Sequence, residues 1–292
     1  MLKQLVGGLA DGPLGEVWYR TKNRTSCRER IAVFVVVPVI LLTVAALPDP
    51  IKEAWTLYLG SPSPIEAYLT NFVHGGPIHL GNNLFSYIFL MAVLLPLAVF
   101  ADWKRELYVT SFFFITVVPF IVSYYSVWTL QGTGAETTVG FSGVIAAFLG
   151  LLPILLFAFF KRAVSSNIRL HHALALVALV LAVIFFSWYG ISSSTIALSI
   201  LGTLGLGLVW WDTRGDWKPL VSSNANLLLV FTTIIVFTYV SYSILVNTGP
   251  GVNVYGHFIG LVSGFMFPGL LSLVLDLRER FNWIDDRLHL AV

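Results

Sequence analysis

The chain has 292 residues, 57% of them hydrophobic and only 11% charged, a composition outside the range of soluble globular domains. Its formal net charge of +2 gives a nucleic-acid role no electrostatic footing. A single cysteine, Cys27, excludes a disulfide framework and leaves cysteine-based metal binding or nucleophilic chemistry without a supporting pattern.

Residues 1–30 mix charges with Gly and Pro and lack the continuous apolar core of a cleavable signal peptide. Beyond them, apolar runs long enough to cross a hydrocarbon layer as helix, about 17–25 residues, occur at 31–48, 79–100, 107–128, 142–160, 172–188, 194–211, 226–246 and 256–275. The fifth and sixth are the shortest and are separated only by Tyr189 to Ser193, which predicts a tight helical hairpin, or else a single re-entrant feature. No Asp, Glu, Lys or Arg falls inside any of the eight runs, as the cost of burying charge in lipid requires. The expected fold is therefore an all-α polytopic membrane protein of about eight transmembrane helices. Its parts are an N-terminal segment 1–30, a membrane domain 31–275 and a C-terminal tail 276–292. There is no internal repeat and no low-complexity tract.

Basic residues set the orientation. With residues 1–30 in the cytoplasm, sixteen of the seventeen Lys and Arg lie on that side and only Lys52 lies outside. Both termini are then cytoplasmic, and the asymmetry supports an even number of spans. The connections 49–78, 129–141, 189–193 and 247–255 face outward. In the first of them Trp55, Tyr58, Leu59, Ile65 and Tyr68 suit the membrane interface better than water.

This topology brings reactive side chains to one depth. His74 and His79 sit before and at the head of the second run, Ser142 heads the fourth within Gly140-Phe141-Ser142-Gly143, and His257 heads the eighth. Singly, each has a mundane account: a histidine at a helix head is usually a cap or an interfacial residue, and a GxSG tetrapeptide is common in Gly-rich membrane segments. Spacing adds a test. His79 and Asn83 are four apart and share a helix face, whereas Asn82 points about 100° away. Gly256, Gly260 and Gly264 make a small-xxx-small face on the eighth run, answered on the fourth by Gly143, Ala146, Ala147 and Gly150. Two helices packed through these faces would bring the His257 imidazole to Ser142, and a serine hydroxyl needs such a base to act as a nucleophile. The outward-side acids, Asp49, Glu53, Glu66 and Glu136, are all in loops, so a Ser-His dyad is expected rather than a triad. His79, the Asn83 amide and the Ser142 backbone N–H are donors of the type a developing oxyanion requires.

His74-x4-His79-x3-Asn83, Gly140-Phe141-Ser142-Gly143 and His257-x2-Gly260-x3-Gly264 together resemble the signature of the rhomboid intramembrane serine proteases, in that family's order. The similarity covers roughly residues 49–160 and 247–275. The resemblance implies a rhomboid-like helical bundle with Ser142 as nucleophile, His257 as general base, His79 and Asn83 at the oxyanion, and His74 in a supporting role. It also implies no metal or organic cofactor, and single-pass transmembrane proteins cleaved near the outer face of a lipid bilayer, with the plasma membrane the expected location. The chain departs from the family in three respects. Three runs separate the serine and histidine helices where the common core has one, with 226–246 the expected gating helix. Ala146 stands where many bacterial members have tyrosine against the imidazole, so another group must orient His257. Gly256 replaces the usual alanine, and the first loop lacks the Trp-Arg pair often seen there. Two rival readings remain: a catalytically inactive rhomboid relative that binds membrane clients, and a transporter holding zinc through His74, His79 and His257.

Overall fold

The computed structural model describes residues 12–249 and 251–289, with side chains to Leu271. The protein is an all-α, multi-pass membrane protein. Among the described residues six single helices are long and apolar enough to span a bilayer: Pro77–Ala101, Ser142–Ala163, Leu170–Tyr189, Ser193–Thr213, Asn224–Leu245 and Val254–Leu271. The pair Lys104–Thr116 and Val118–Leu130, bent by 44°, meets the same criterion only when taken together, as a broken span or a re-entrant loop. The predicted run 31–48 is not one rod: it folds as Cys27–Phe34 and Val36–Ala45, broken at Val35.

Both interruptions have the same cause. Proline lacks the N–H for the carbonyl four residues back and its ring crowds that carbonyl. Pro38 thereby frees Phe34, and Pro119 frees Ile115, and the helices break within one residue or two of those positions, at Val35 and Val117. Pro96 and Pro153 sit inside unbroken helices, as packing against neighbouring helices allows in a membrane. The runs around 172–188 and 194–211 form the expected hairpin. The second helix is capped by Ser192, whose hydroxyl accepts the Thr195 N–H at 3.2 Å.

The helix Ser142–Ala163, here the serine helix, is the axis of the bundle. Every residue from Gly143 to Phe160 is buried among other helices. Its partner is Val254–His289, the histidine helix, and the two backbones approach closely enough to exclude side chains. A Cβ on Gly260 would lie 2.0 Å from the Gly143 carbonyl oxygen, one on Gly264 1.9 Å from that of Ala147, and one on Gly150 2.1 Å from that of Leu261. The small-residue faces expected from spacing are thus the contact surface.

At one end of the bundle the long connection after Ala45 carries two short helices, Asp49–Ala54 and Pro64–Leu69, and strand β1, Leu57–Tyr58. β1 pairs antiparallel with β2, Thr137–Thr138, so the 49–78 and 129–141 connections lie on the same side. Thr70 ties them: its hydroxyl accepts the Leu57 N–H at 3.1 Å and donates to the Thr138 carbonyl, and its own carbonyl accepts the Gly140 N–H at 3.1 Å. At the opposite end the charges gather. Asp102 pairs with both Arg24 at 2.8 Å and Arg162 at 2.7 Å, and Lys104 reaches Glu29 at 3.1 Å. The Ser26 backbone N–H, donating to Glu29, holds that carboxyl down at about 2. His172 also lies towards this end. It is buried: its Nδ1 accepts the Arg169 N–H at 3.1 Å, and its Nε2 is 3.2 Å from Asp212.

Candidate active site

Ser142 is the first residue of the serine helix and is partly exposed, while its neighbours Phe141 and Gly143 are buried. At this position the backbone N–H has no intrahelical acceptor, and the helix N-terminus presents partial positive charge. His257, three residues into the histidine helix and only 7% exposed, places its Nε2 2.8 Å from the Ser142 hydroxyl oxygen. Its Nδ1 lies 2.8 Å from the Ile244 carbonyl. A carbonyl can only accept, so Nδ1 carries the proton and Nε2 offers its lone pair to the serine hydroxyl.

Ile244 lies in the last turn of the helix Asn224–Leu245, where carbonyls lack intrahelical partners. The next carbonyl, of Leu245, accepts the Trp188 indole N–H at 3.1 Å from the helix Ala173–Tyr189. The last turn of the penultimate helix is therefore tied on both sides. The group expected to orient the imidazole in the absence of a side chain beyond Cβ at Ala146 is thus a backbone carbonyl.

Asn253 holds the head of the histidine helix. Its Oδ1 caps the helix by accepting the Gly256 N–H at 2.9 Å, and its Nδ2 donates to the Ser126 hydroxyl at 2.7 Å and to that of Thr138 at 3.2 Å. This residue was not anticipated, although an asparagine immediately before an apolar helical run is an N-cap signal.

The second run contributes the facing wall. Asn83 is buried, its Nδ2 has no protein partner, and Asn82 is exposed, as the four-residue spacing from His79 requires. The His79 ring packs over Gly140: a Cβ there would meet His79 Cε1 at 2.5 Å, and Gly140 has φ +121, so both space and backbone demand glycine. His74 meets His79 edge-on at 5.0 Å between ring centres. Its Nδ1–H donates to the Phe72 carbonyl at 3.1 Å, which leaves a buried, unprotonated Nε2 without a partner. Burial, reinforced by His79 nearby, pushes His74 down to about 4. His74 thus stays neutral and can accept a proton-bearing group but cannot donate to an oxyanion.

Ser142, His257, His79, His74, Gly140, Gly143 and Asn83 all belong to the end of the bundle where β1 and β2 meet. Gly256 contributes at the same end, a Cβ there meeting Asn253 at 2.9 Å, while Gly260 and Gly264 act deeper, as packing residues. Among the described residues no three of His, Cys, Asp and Glu form a cluster able to hold a metal. His257, needed for the zinc reading, has both nitrogens engaged. No protein-family model, curated protein or solved structure matches this chain.

Proposed function

We propose that the protein is a rhomboid-type intramembrane serine endopeptidase. In this reading it has eight crossings, counting the broken first one, and both termini are cytoplasmic. The observation that carries the reading is the 2.8 Å contact between His257 Nε2 and the Ser142 hydroxyl, with the tautomer set by Ile244. As His257 Nε2 takes the hydroxyl proton, Oγ bonds to the scissile carbonyl carbon. The resulting oxyanion meets the Ser142 backbone N–H, the unpartnered Asn83 amide and His79. Collapse breaks the C–N bond, the imidazolium returns its proton to the leaving amine, and an acyl-enzyme remains. Water from the β1–β2 side, deprotonated by His257, then hydrolyses the ester.

Substrates in this reading are single-pass membrane proteins entering from the bilayer of the plasma membrane. A helical peptide bond is shielded by its own side chains, so the cleaved segment must unwind, which favours small or helix-breaking residues there. No metal or organic cofactor takes part.

The test needs no known substrate. Purified protein is treated with a fluorophosphonate, beside Ser142→Ala and His257→Ala. Labelling that vanishes in both variants is expected. Equal labelling of all three would place the reactive group elsewhere, and folded wild type that stays unlabelled while admitting the probe would favour an inactive, client-binding relative.

A further inference from the structure

At the end of the bundle opposite the serine lies a cavity of about 410 Å³ lined by Arg20, Arg24 and Arg162, by the rings of Phe100 and Phe159, and by Asn226. It sits where four elements finish or begin: the N-terminal helix Pro13–Arg24, the ends of Pro77–Ala101 and of the serine helix, and the start of Asn224–Leu245. Its mouth is therefore at the level where hydrocarbon gives way to lipid headgroups.

The charges around it do not cancel. Asp102 serves both Arg24 and Arg162, and Glu16 pairs with Arg20 at 2.7 Å. Three guanidinium groups face two carboxylates, and one positive charge is left over. Each guanidinium has five N–H donors in a planar fork. Arg162 spends its Nε on Asp102, and Arg24 one terminal nitrogen on Asp102 and the Val99 carbonyl. The three side chains are 53%, 53% and 56% exposed, so their remaining donors are open to a ligand. The Arg20 guanidinium lies over the Phe100 ring at 5.2 Å, which fixes its place in the lining.

A ligand matched to this cavity carries one anionic group with several acceptor oxygens. We infer that the cavity binds the phosphate headgroup of an anionic phospholipid from the leaflet at this end. The forks suit phosphate oxygens, and a cavity between the ends of spanning helices opens where lipid phosphates are concentrated. Basic pockets between transmembrane helices hold headgroups by this chemistry. A soluble phosphate would use the same arginine donors, and competition separates the two. This assignment is independent of any peptidase activity.

The test is native mass spectrometry of the full-length protein titrated with phosphatidylglycerol and, separately, phosphatidylcholine. One phosphatidylglycerol should be retained in preference to phosphatidylcholine, and Arg162→Gln should weaken it about fivefold, the effect of one basic group near a headgroup. Arg105→Gln, an exposed arginine at the same end but outside the cavity, should leave it unchanged. Equal retention of both lipids, or equal losses in the two variants, would overturn the assignment in favour of diffuse surface charge. Displacement of the lipid by millimolar glycerol phosphate or inorganic phosphate would overturn it in favour of a soluble anion. The comparison of lipids and competitors uses wild type alone, so it stands even if Arg162→Gln folds poorly.

Discussion

His257 donates its Nδ1–H to the Ile244 carbonyl at 2.8 Å, so the imidazole that faces Ser142 is oriented by the backbone of the penultimate helix. The neighbouring Leu245 carbonyl is held in turn by Trp188, on a helix between the serine and penultimate helices in sequence. Any displacement of that last turn would release the imidazole, which couples the position of the helix Asn224–Leu245 to the readiness of the base.

Replacing Trp188 with phenylalanine keeps an aromatic ring but removes the indole N–H. A hydrogen bond of this kind contributes about 1 kcal/mol, so fluorophosphonate labelling should slow by roughly fivefold without loss of folding. The fall should appear in the labelling rate at saturating probe rather than in probe affinity. An unchanged rate would show that the helix end is fixed by other contacts.

Asn83→Ala removes a buried amide whose Nδ2 has no protein partner, so it costs the folded state no protein hydrogen bond from that nitrogen. Turnover of a membrane-spanning substrate should drop by about 10²-fold or less, because the Ser142 N–H and His79 remain. Full turnover in the folded variant would take Asn83 out of the mechanism.

Gly260→Ala would drive a methyl to 2.0 Å from the Gly143 carbonyl, whereas an alanine at Gly269 on the same helix meets nothing within 4 Å. Forcing the serine and histidine helices apart should cost about 1–3 kcal/mol of stability and also break the Ser142–His257 contact. Unfolding in denaturing detergent, with labelling measured in parallel, should show both losses in Gly260→Ala and neither in Gly269→Ala.

His74, buried and pushed down to about 4, is neutral in the folded protein at pH values where the unfolded chain, near its ordinary 6.5, already binds a proton. The unfolded state takes up more protons across that window, so folding stability is fully present above about 6.5 and declines as pH falls towards 4. His74→Asn can keep a donor towards the Phe72 carbonyl without titrating. Its stability between pH 7 and 4 should fall less steeply than that of wild type, and parallel curves would refute this role.

Hydropathy was enough to place six of the eight expected helices, because lipid imposes its constraint on each segment separately. The glycine spacing of the histidine helix was equally legible, since close approach demands small residues at fixed intervals. The breaks at Val35 and Val117 follow from Pro38 and Pro119, but Pro96 and Pro153 read the same way and break nothing. Tertiary packing decides between such cases. It also decided which apolar helix is central: every residue of the spanning window in Ser142–Ala163 is buried, against 17% in Ser193–Thr213. Inside a membrane an outward face is as apolar as an inward one, so hydropathy cannot rank them. The group that orients His257 lay beyond the sequence for a simpler reason. Every residue carries a backbone carbonyl, and only the folded chain decides that the one at Ile244 meets the imidazole.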